Sequence, residues 1–140
     1  FDSMWEGTEK LANAISRQVS LLSPDTRVKL YNVAKIDKND IMTEVFKSKA
    51  IAVGSPTVHQ GALSSVVGWL EFLKELKFKG KKAAVFGCYG WSGEGNKVLR
   101  AHLEEAGFET IEQEIRCSWN PREEDLAKAE EVAKGLLGIG

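Results

Sequence analysis

Apolar positions set the rhythm of this chain. Across residues 8–22, Leu11, Ile15, Val19 and Leu22 recur at helical spacing, while Glu9, Lys10, Arg17 and Gln18 fall mostly on the opposite side, which predicts an amphipathic helix. Ser23-Pro24-Asp25 breaks that pattern, and over residues 27–33 Val28 and Leu30 alternate with Lys29 and Tyr31, as suits an edge strand. Asp37 is placed to cap a short helix through Lys47 that buries Ile41, Val45 and Phe46. Residues 50–54 are apolar throughout, the pattern of a central strand covered on both faces. Leu63, Val66, Val67, Leu70 and Leu73 mark a second long helix that ends before Gly80. Residues 82–87 repeat the buried-strand pattern and run into glycine. A helix over 96–106 turns Val98, Leu99, Leu103 and Ala106 inward, with Gly107 as its C-terminal stop. Residues 110–117 form the last predicted strand, and residues 122–137 a closing helix with Leu126, Ala129, Ala133, Leu136 and Leu137 on one stripe.

Strands alternating with helices in this way predict an α/β domain on a doubly wound parallel sheet with right-handed crossovers. Five strands in the order 2-1-3-4-5 account for residues 1–140, with one irregularity. A helix opening at residue 8 implies a strand before it, yet only Phe1 and Asp2 stand there. That strand is interior in this order, so most of it is missing and the sheet should carry a gap. The expectation is a single domain that begins partway through a longer polypeptide.

Composition and charge exclude several function classes. The 140 residues are 43% hydrophobic and 28% charged, which is ordinary for one globular domain. Nineteen Lys and Arg against 20 Asp and Glu give a formal charge of −1, so no large electrostatic footprint for nucleic acid is expected. No run reaches the roughly 18 apolar residues of a membrane span, and the first residues lack the basic and apolar regions of a signal peptide. A soluble, cytoplasmic domain with no nucleic-acid or membrane partner is expected. Cys88 and Cys117 are the two cysteines, at a spacing that suits neither a metal site nor a disulfide framework. The expectation is therefore a reducing compartment, with Cys88 a small loop residue and Cys117 an inert strand end.

Ligands of open α/β sheets bind beyond the carboxyl ends of the strands, which directs attention to three loops. The first, Ser3-Met4-Trp5-Glu6-Gly7-Thr8, opens directly into a helix, so backbone amides and the helix dipole can surround an anion while Ser3 and Thr8 add hydroxyls. It lacks lysine and arginine, which suits a phosphate monoester that is held rather than transferred. The second, Gly54-Ser55-Pro56-Thr57-Val58-His59-Gln60-Gly61, is small at the strand exit and can lie along a flat ligand. The third runs from Gly87 through Cys88, Tyr89, Gly90, Trp91, Ser92 and Gly93 to Gly95; its glycines let backbone approach a ligand, and Tyr89 and Trp91 offer stacking faces. Together these describe a pocket for a phosphorylated flat heterocycle, and FMN fits best. The plainer alternatives are a capped helix start for the first loop and a flexible aromatic turn for the third.

In order and spacing, Asp2-Ser3-Met4-Trp5-Glu6-Gly7-Thr8, Gly54-Ser55-Pro56-Thr57 and Phe86-Gly87-Cys88-Tyr89-Gly90-Trp91-Ser92-Gly93 resemble the flavodoxin-like domain of flavodiiron proteins, the A-type flavoproteins. The resemblance spans essentially the whole chain. It implies that residues 3–8 hold the FMN phosphate, that Ser55 to His59 border the ribityl chain and ring, and that Cys88 to Gly93 contact the isoalloxazine from the other side. It also implies a partner: a β-lactamase-like domain, belonging to the other subunit of a head-to-tail homodimer, whose diiron site reduces dioxygen or nitric oxide with electrons from FMN. The electron donor would be rubredoxin, a reduced deazaflavin or another carrier. No iron ligand set can be placed here, because His59 and His102 are the two histidines and lie on different elements. This stretch would be the electron-entry half of an oxidoreductase, with no catalytic or metal residue of its own.

Other readings stay open. A stand-alone flavodoxin or a quinone-reducing flavoprotein would share the fold, and so would an interaction module that has lost its cofactor. A phospho-accepting receiver domain is disfavoured, since Ser55-Pro56-Thr57 stands where its aspartate should be. Neither G-x-G-x-x-G after the first strand nor a P-loop occurs. Trp119 is left between core and interface, and His59 between a flavin contact and a solvated loop residue.

Overall fold

Small and β-branched residues build the centre of the sheet in the computed structural model, which describes residues 1–2, 7–58, 61–89 and 94–139, with Val58 and Gly61 as backbone. The elements run α1 (Gly7–Leu22), α2 (Lys38–Lys47), β1 (Ala50–Gly54), β2 (Thr57–Val58), β3 (Gly61–Ala62), α3 (Ser64–Lys74), β4 (Lys82–Tyr89), α4 (Glu94–Glu105), β5 (Glu109–Thr110), β6 (Ile115–Ser118) and α5 (Glu123–Leu137). β1 pairs with β4 in parallel, and β5 and β6 pair in parallel along the other side of β4. The strand pattern over 82–89 explains its central place. Ala83 and Val85 point into one core with α2, α3 and α4, whereas Ala84, Phe86 and Cys88 point into a second with α1 and α5. Helices on both faces of a parallel sheet are the predicted doubly wound arrangement.

The expected strand over 110–117 is split. Between the pairs Ala83↔Thr110 and Phe86↔Ile115 the edge takes five steps where β4 takes three, so two residues bulge out of the ladder. Glu112, Gln113 and Glu114 have no apolar face to bury there. Side chains of α4 satisfy the freed backbone instead: Arg100 donates to the Ile111 carbonyl (2.8 Å) and to Glu114 (2.9 Å), and Asn96 donates to the Ile115 carbonyl and to Glu114, each at 2.9 Å. Gly107 ends α4 as expected. Its φ of +97° and the Phe78 carbonyl directly against its Cβ position leave room for glycine alone.

The predicted edge strand over 27–33 forms no ladder, and the physical reason is the gap. Phe1 and Asp2 occupy the lane between that segment and β1: the Phe1 amino group donates to the Tyr31 carbonyl (3.1 Å), Val33 N–H donates to the Phe1 carbonyl (2.9 Å), and Asp2 N–H donates to the Gly54 carbonyl (3.2 Å). Below them the lane is open. A cavity of about 850 Å³ separates Arg27, Val28 and Leu30 on one bank from Ala50, Ile51 and Ala52 on the other. The Trp69 indole N–H, buried at its wall, has no partner among the described residues. The loops singled out in the sequence lie at the opposite end of the strands.

Candidate functional site

At the carboxyl rim of the sheet, chain segments far apart in sequence meet because two glycines let them. A Cβ at Gly87 would run into the Ser55 carbonyl oxygen, so glycine there allows β4 to pass directly beside the exit of β1, and Ser55 N–H donates to the Phe86 carbonyl at 3.2 Å. On the other face, α1 begins against the ends of β4 and β6. A Cβ at Gly7 would stand 3.0 Å from Cys88 Sγ, 3.2 Å from the Trp119 carbonyl oxygen and 3.5 Å from Pro121 Cδ. The start of α1 and the end of β4 thus meet, joined by a further segment, 119–121, that follows β6.

Thr8 is the residue of this rim with unused chemistry. It sits in the first turn of a 16-residue helix, where orphan amides and the helix dipole favour an anion. Its side chain is 1% exposed, and Oγ1 has no hydrogen-bond partner among the described residues. A buried hydroxyl without a partner costs free energy unless a ligand oxygen accepts from it. A phosphate monoester is the ligand the sequence leads one to expect at this position. Gly7 is not in the left-handed region, so its lack of a side chain serves close packing and not a turn.

The second loop is better ordered than a plain connector. β2 and β3 pair as a short antiparallel hairpin, an element absent from the sequence expectation. Both hydroxyls of the loop are engaged: Ser55 Oγ donates to the Pro56 carbonyl (2.9 Å) and accepts from Leu63 N–H (2.8 Å), and Thr57 Oγ1 accepts from Gly95 N–H in α4 (2.9 Å). Ser55 and Thr57 therefore shape the wall and tie the second loop to the third. Asp2, which the sequence does not single out, accepts from Ser65 Oγ at 2.6 Å and fixes the start of α3 beside the same rim.

The third loop begins later than expected. β4 runs on through Cys88 and Tyr89, and this corrects two expectations about the cysteines. Cys88 is a strand residue, not a loop residue, and it is disulfide-bonded to Cys117, its direct partner in the parallel register of β4 and β6. Twenty-eight intervening residues hide that pairing from spacing arguments. Only register brings the two sulfurs to one place. Trp119, the residue left open above, is neither core nor plain surface. It is 60% exposed with φ of +58°, an uncommon conformation for a bulky residue, and its N–H donates to the Tyr89 carbonyl at 2.7 Å. The rule that points to loops after strands would have flagged it. Ser3, Met4, Trp5, Glu6, His59, Gly90, Trp91, Ser92 and Gly93 lie outside the described residues.

A family profile for flavodoxin matches residues 1–132. The anaerobic nitric oxide reductase flavorubredoxin of Aeromonas hydrophila is 39% identical over 136 residues, and that of Vibrio vulnificus 42% identical over 121. These alignments take in 97% and 86% of this chain but 27% and 24% of the relatives, so the chain spans about a quarter of their length. Among solved structures, rubredoxin oxygen:oxidoreductase from Desulfovibrio gigas superposes with a TM-score of 0.90 at 32% identity, over 96% of this chain and 33% of that one. Flavodoxin 1 from Bacillus cereus superposes with a TM-score of 0.84 at 20% identity, over 99% and 94%, which speaks for the fold alone.

Proposed function

The chain belongs to the flavodoxin family, whose cofactor is FMN, and from that premise we propose that it is the electron-transfer domain of a flavodiiron oxidoreductase. In this reading it passes electrons from a reduced donor, rubredoxin or a deazaflavin, to a diiron site that reduces dioxygen or nitric oxide. The observation that carries it is the buried Thr8 hydroxyl, without a partner among the described residues at the start of α1, where the rim segments meet. Gly7 and Thr8 would hold the phosphate with residues 3–6. Ser55 to His59 and Cys88 to Gly93 would border the ribityl chain and ring. FMN, when bound, supplies the exchange of electrons, and the protein orients the ring and sets its surroundings.

The diiron site belongs, in this proposal, to a β-lactamase-like domain of the other subunit in a head-to-tail homodimer. One observation supports such a partner domain: the chain covers 33% of the D. gigas enzyme and about a quarter of the flavorubredoxins it matches. No helix among the described residues is long and apolar enough to cross a membrane, which accords with a cytoplasmic enzyme. The charge around the rim bears on the flavin. Glu6 and Glu94 are the carboxylates of the three loops, so an anionic reduced flavin meets less repulsion here than in acidic flavodoxins.

An absorption spectrum with an iron assay on the full-length protein tests the proposal. Flavin bands together with about two irons per chain are expected for a diiron protein. Flavin without iron would move the reading to a stand-alone or quinone-reducing flavodoxin, and a preparation that stays colourless when supplied with FMN would leave an interaction module.

A further inference from the structure

The functional reading above gives the Cys88–Cys117 bond no role, yet the pair lies at the base of the site. The two residues stand opposite each other on β4 and β6 with Cα atoms 4.7 Å apart, inside the range that a disulfide bridges without backbone movement. Both belong to the core layer shared with α1 and α5, where they are 6% and 1% exposed. Cys88 Sγ lies directly against Gly7, the first residue of the helix that presents Thr8. Cys117 is two residues before Trp119, whose carbonyl also abuts Gly7. One covalent link therefore ties together the strand ends on which the anion cradle rests.

We propose that Cys88 and Cys117 are a reversible thiol–disulfide site whose state sets the affinity of that cradle for a phosphate monoester. The inference rests on the reading of α1 as the seat of the FMN phosphate. Two bonded sulfurs sit far closer than two thiols can pack, so cleaving the bond forces the side chains apart inside a layer that has little free volume. The side of Gly7 is where a Cβ is lacking, and displacement that way presses on the backbone that carries the Thr8 hydroxyl. The bonded state holds the cradle; the reduced state loosens it.

A small-molecule dithiol supplies the electrons. Its thiolate attacks one protein sulfur, the Cys88–Cys117 bond breaks and a mixed disulfide forms; its second thiol then displaces the protein sulfur, and the reagent closes to its own cyclic disulfide. Two electrons and two protons pass to the protein as two Cys thiols, and the reagent loses as many. The oxidised reagent runs the same exchange backwards.

The test compares air-oxidised protein with protein reduced by dithiothreitol, counting thiols by alkylation and intact mass and titrating FMN by fluorescence. No alkylation is expected before reduction and two adducts after it, with the Kd for FMN rising at least about fivefold on reduction. The Cys88→Ser/Cys117→Ser variant should bind like the reduced form and ignore dithiothreitol. Two alkylatable thiols in the air-oxidised protein would overturn the inference, as would equal affinity in both states. Amide hydrogen exchange over residues 7–11 keeps the two readings apart. If neither form binds FMN the cradle assignment fails, while exchange severalfold faster on reduction still carries the latch and unchanged exchange ends it.

Discussion

At Thr8 one atom is a cost to the free protein and, in the proposed function, a contact for the ligand. Thr8→Val keeps the shape and removes the buried hydroxyl. The free protein should lose no stability and can gain, since an unpaired buried hydroxyl costs about 1–3 kcal/mol. FMN affinity should nevertheless fall about tenfold or more, the worth of a hydrogen bond to a charged group. Urea unfolding and fluorescence titration of the same variant separate the two effects; parallel losses in both would contradict the assignment. Gly87→Ala should act in the opposite sense. The added methyl has no room beside the Ser55 carbonyl, and prising β1 from β4 should cost about 1–3 kcal/mol in urea unfolding. Thr8 was legible in the sequence as a hydroxyl at a helix start. That its oxygen is buried without a partner depends on what packs around it, and only the fold supplies that.

Among the elements, α2 shows a cap that local chemistry determines, whereas the expected burial of Phe46 fails: that residue is 57% exposed and Met42 is buried instead. Asp37 caps the helix as expected: Oδ1 accepts from Asn39 N–H at 2.7 Å. Asp37→Ala should lower stability by about 1 kcal/mol and speed exchange of the first α2 amides, while Asp37→Asn restores most of it. The strands follow a different rule. β1 and β4 were legible because burial on both faces leaves an unbroken apolar run. The edge over 110–117 was not, since its bulge is set by Arg100 and Asn96 reaching across from α4. The β2–β3 hairpin was missed for a related reason: two pairs of residues carry too little pattern for a period to register.

For the whole molecule, the Phe1 amino group of the 140-residue chain gives a measurable electrostatic signature. Burial pushes the Phe1 amino group down from 8.0 to about 6. Between these values the unfolded chain holds a proton that the folded chain has released, so stability should rise as pH climbs from about 6 to 8 and level off beyond. Urea midpoints across that window check the slope for the 140-residue chain. N-terminal acetylation, which leaves no charge to desolvate, should flatten it. A pH profile unaltered by acetylation would place the titration elsewhere.

Periodicity, turn chemistry and composition were enough to determine the helices, the buried strands and the doubly wound architecture. Each of those follows from which side chains must leave water and which backbone needs a cap, and both are local properties. Three-dimensional packing alone decided that Cys88 meets Cys117, that Ser55 and Thr57 spend their hydroxyls on the loop itself, and that residues 119–121 complete the rim. Those facts depend on strand register and on contacts between segments distant along the chain, and no spacing in one dimension encodes them.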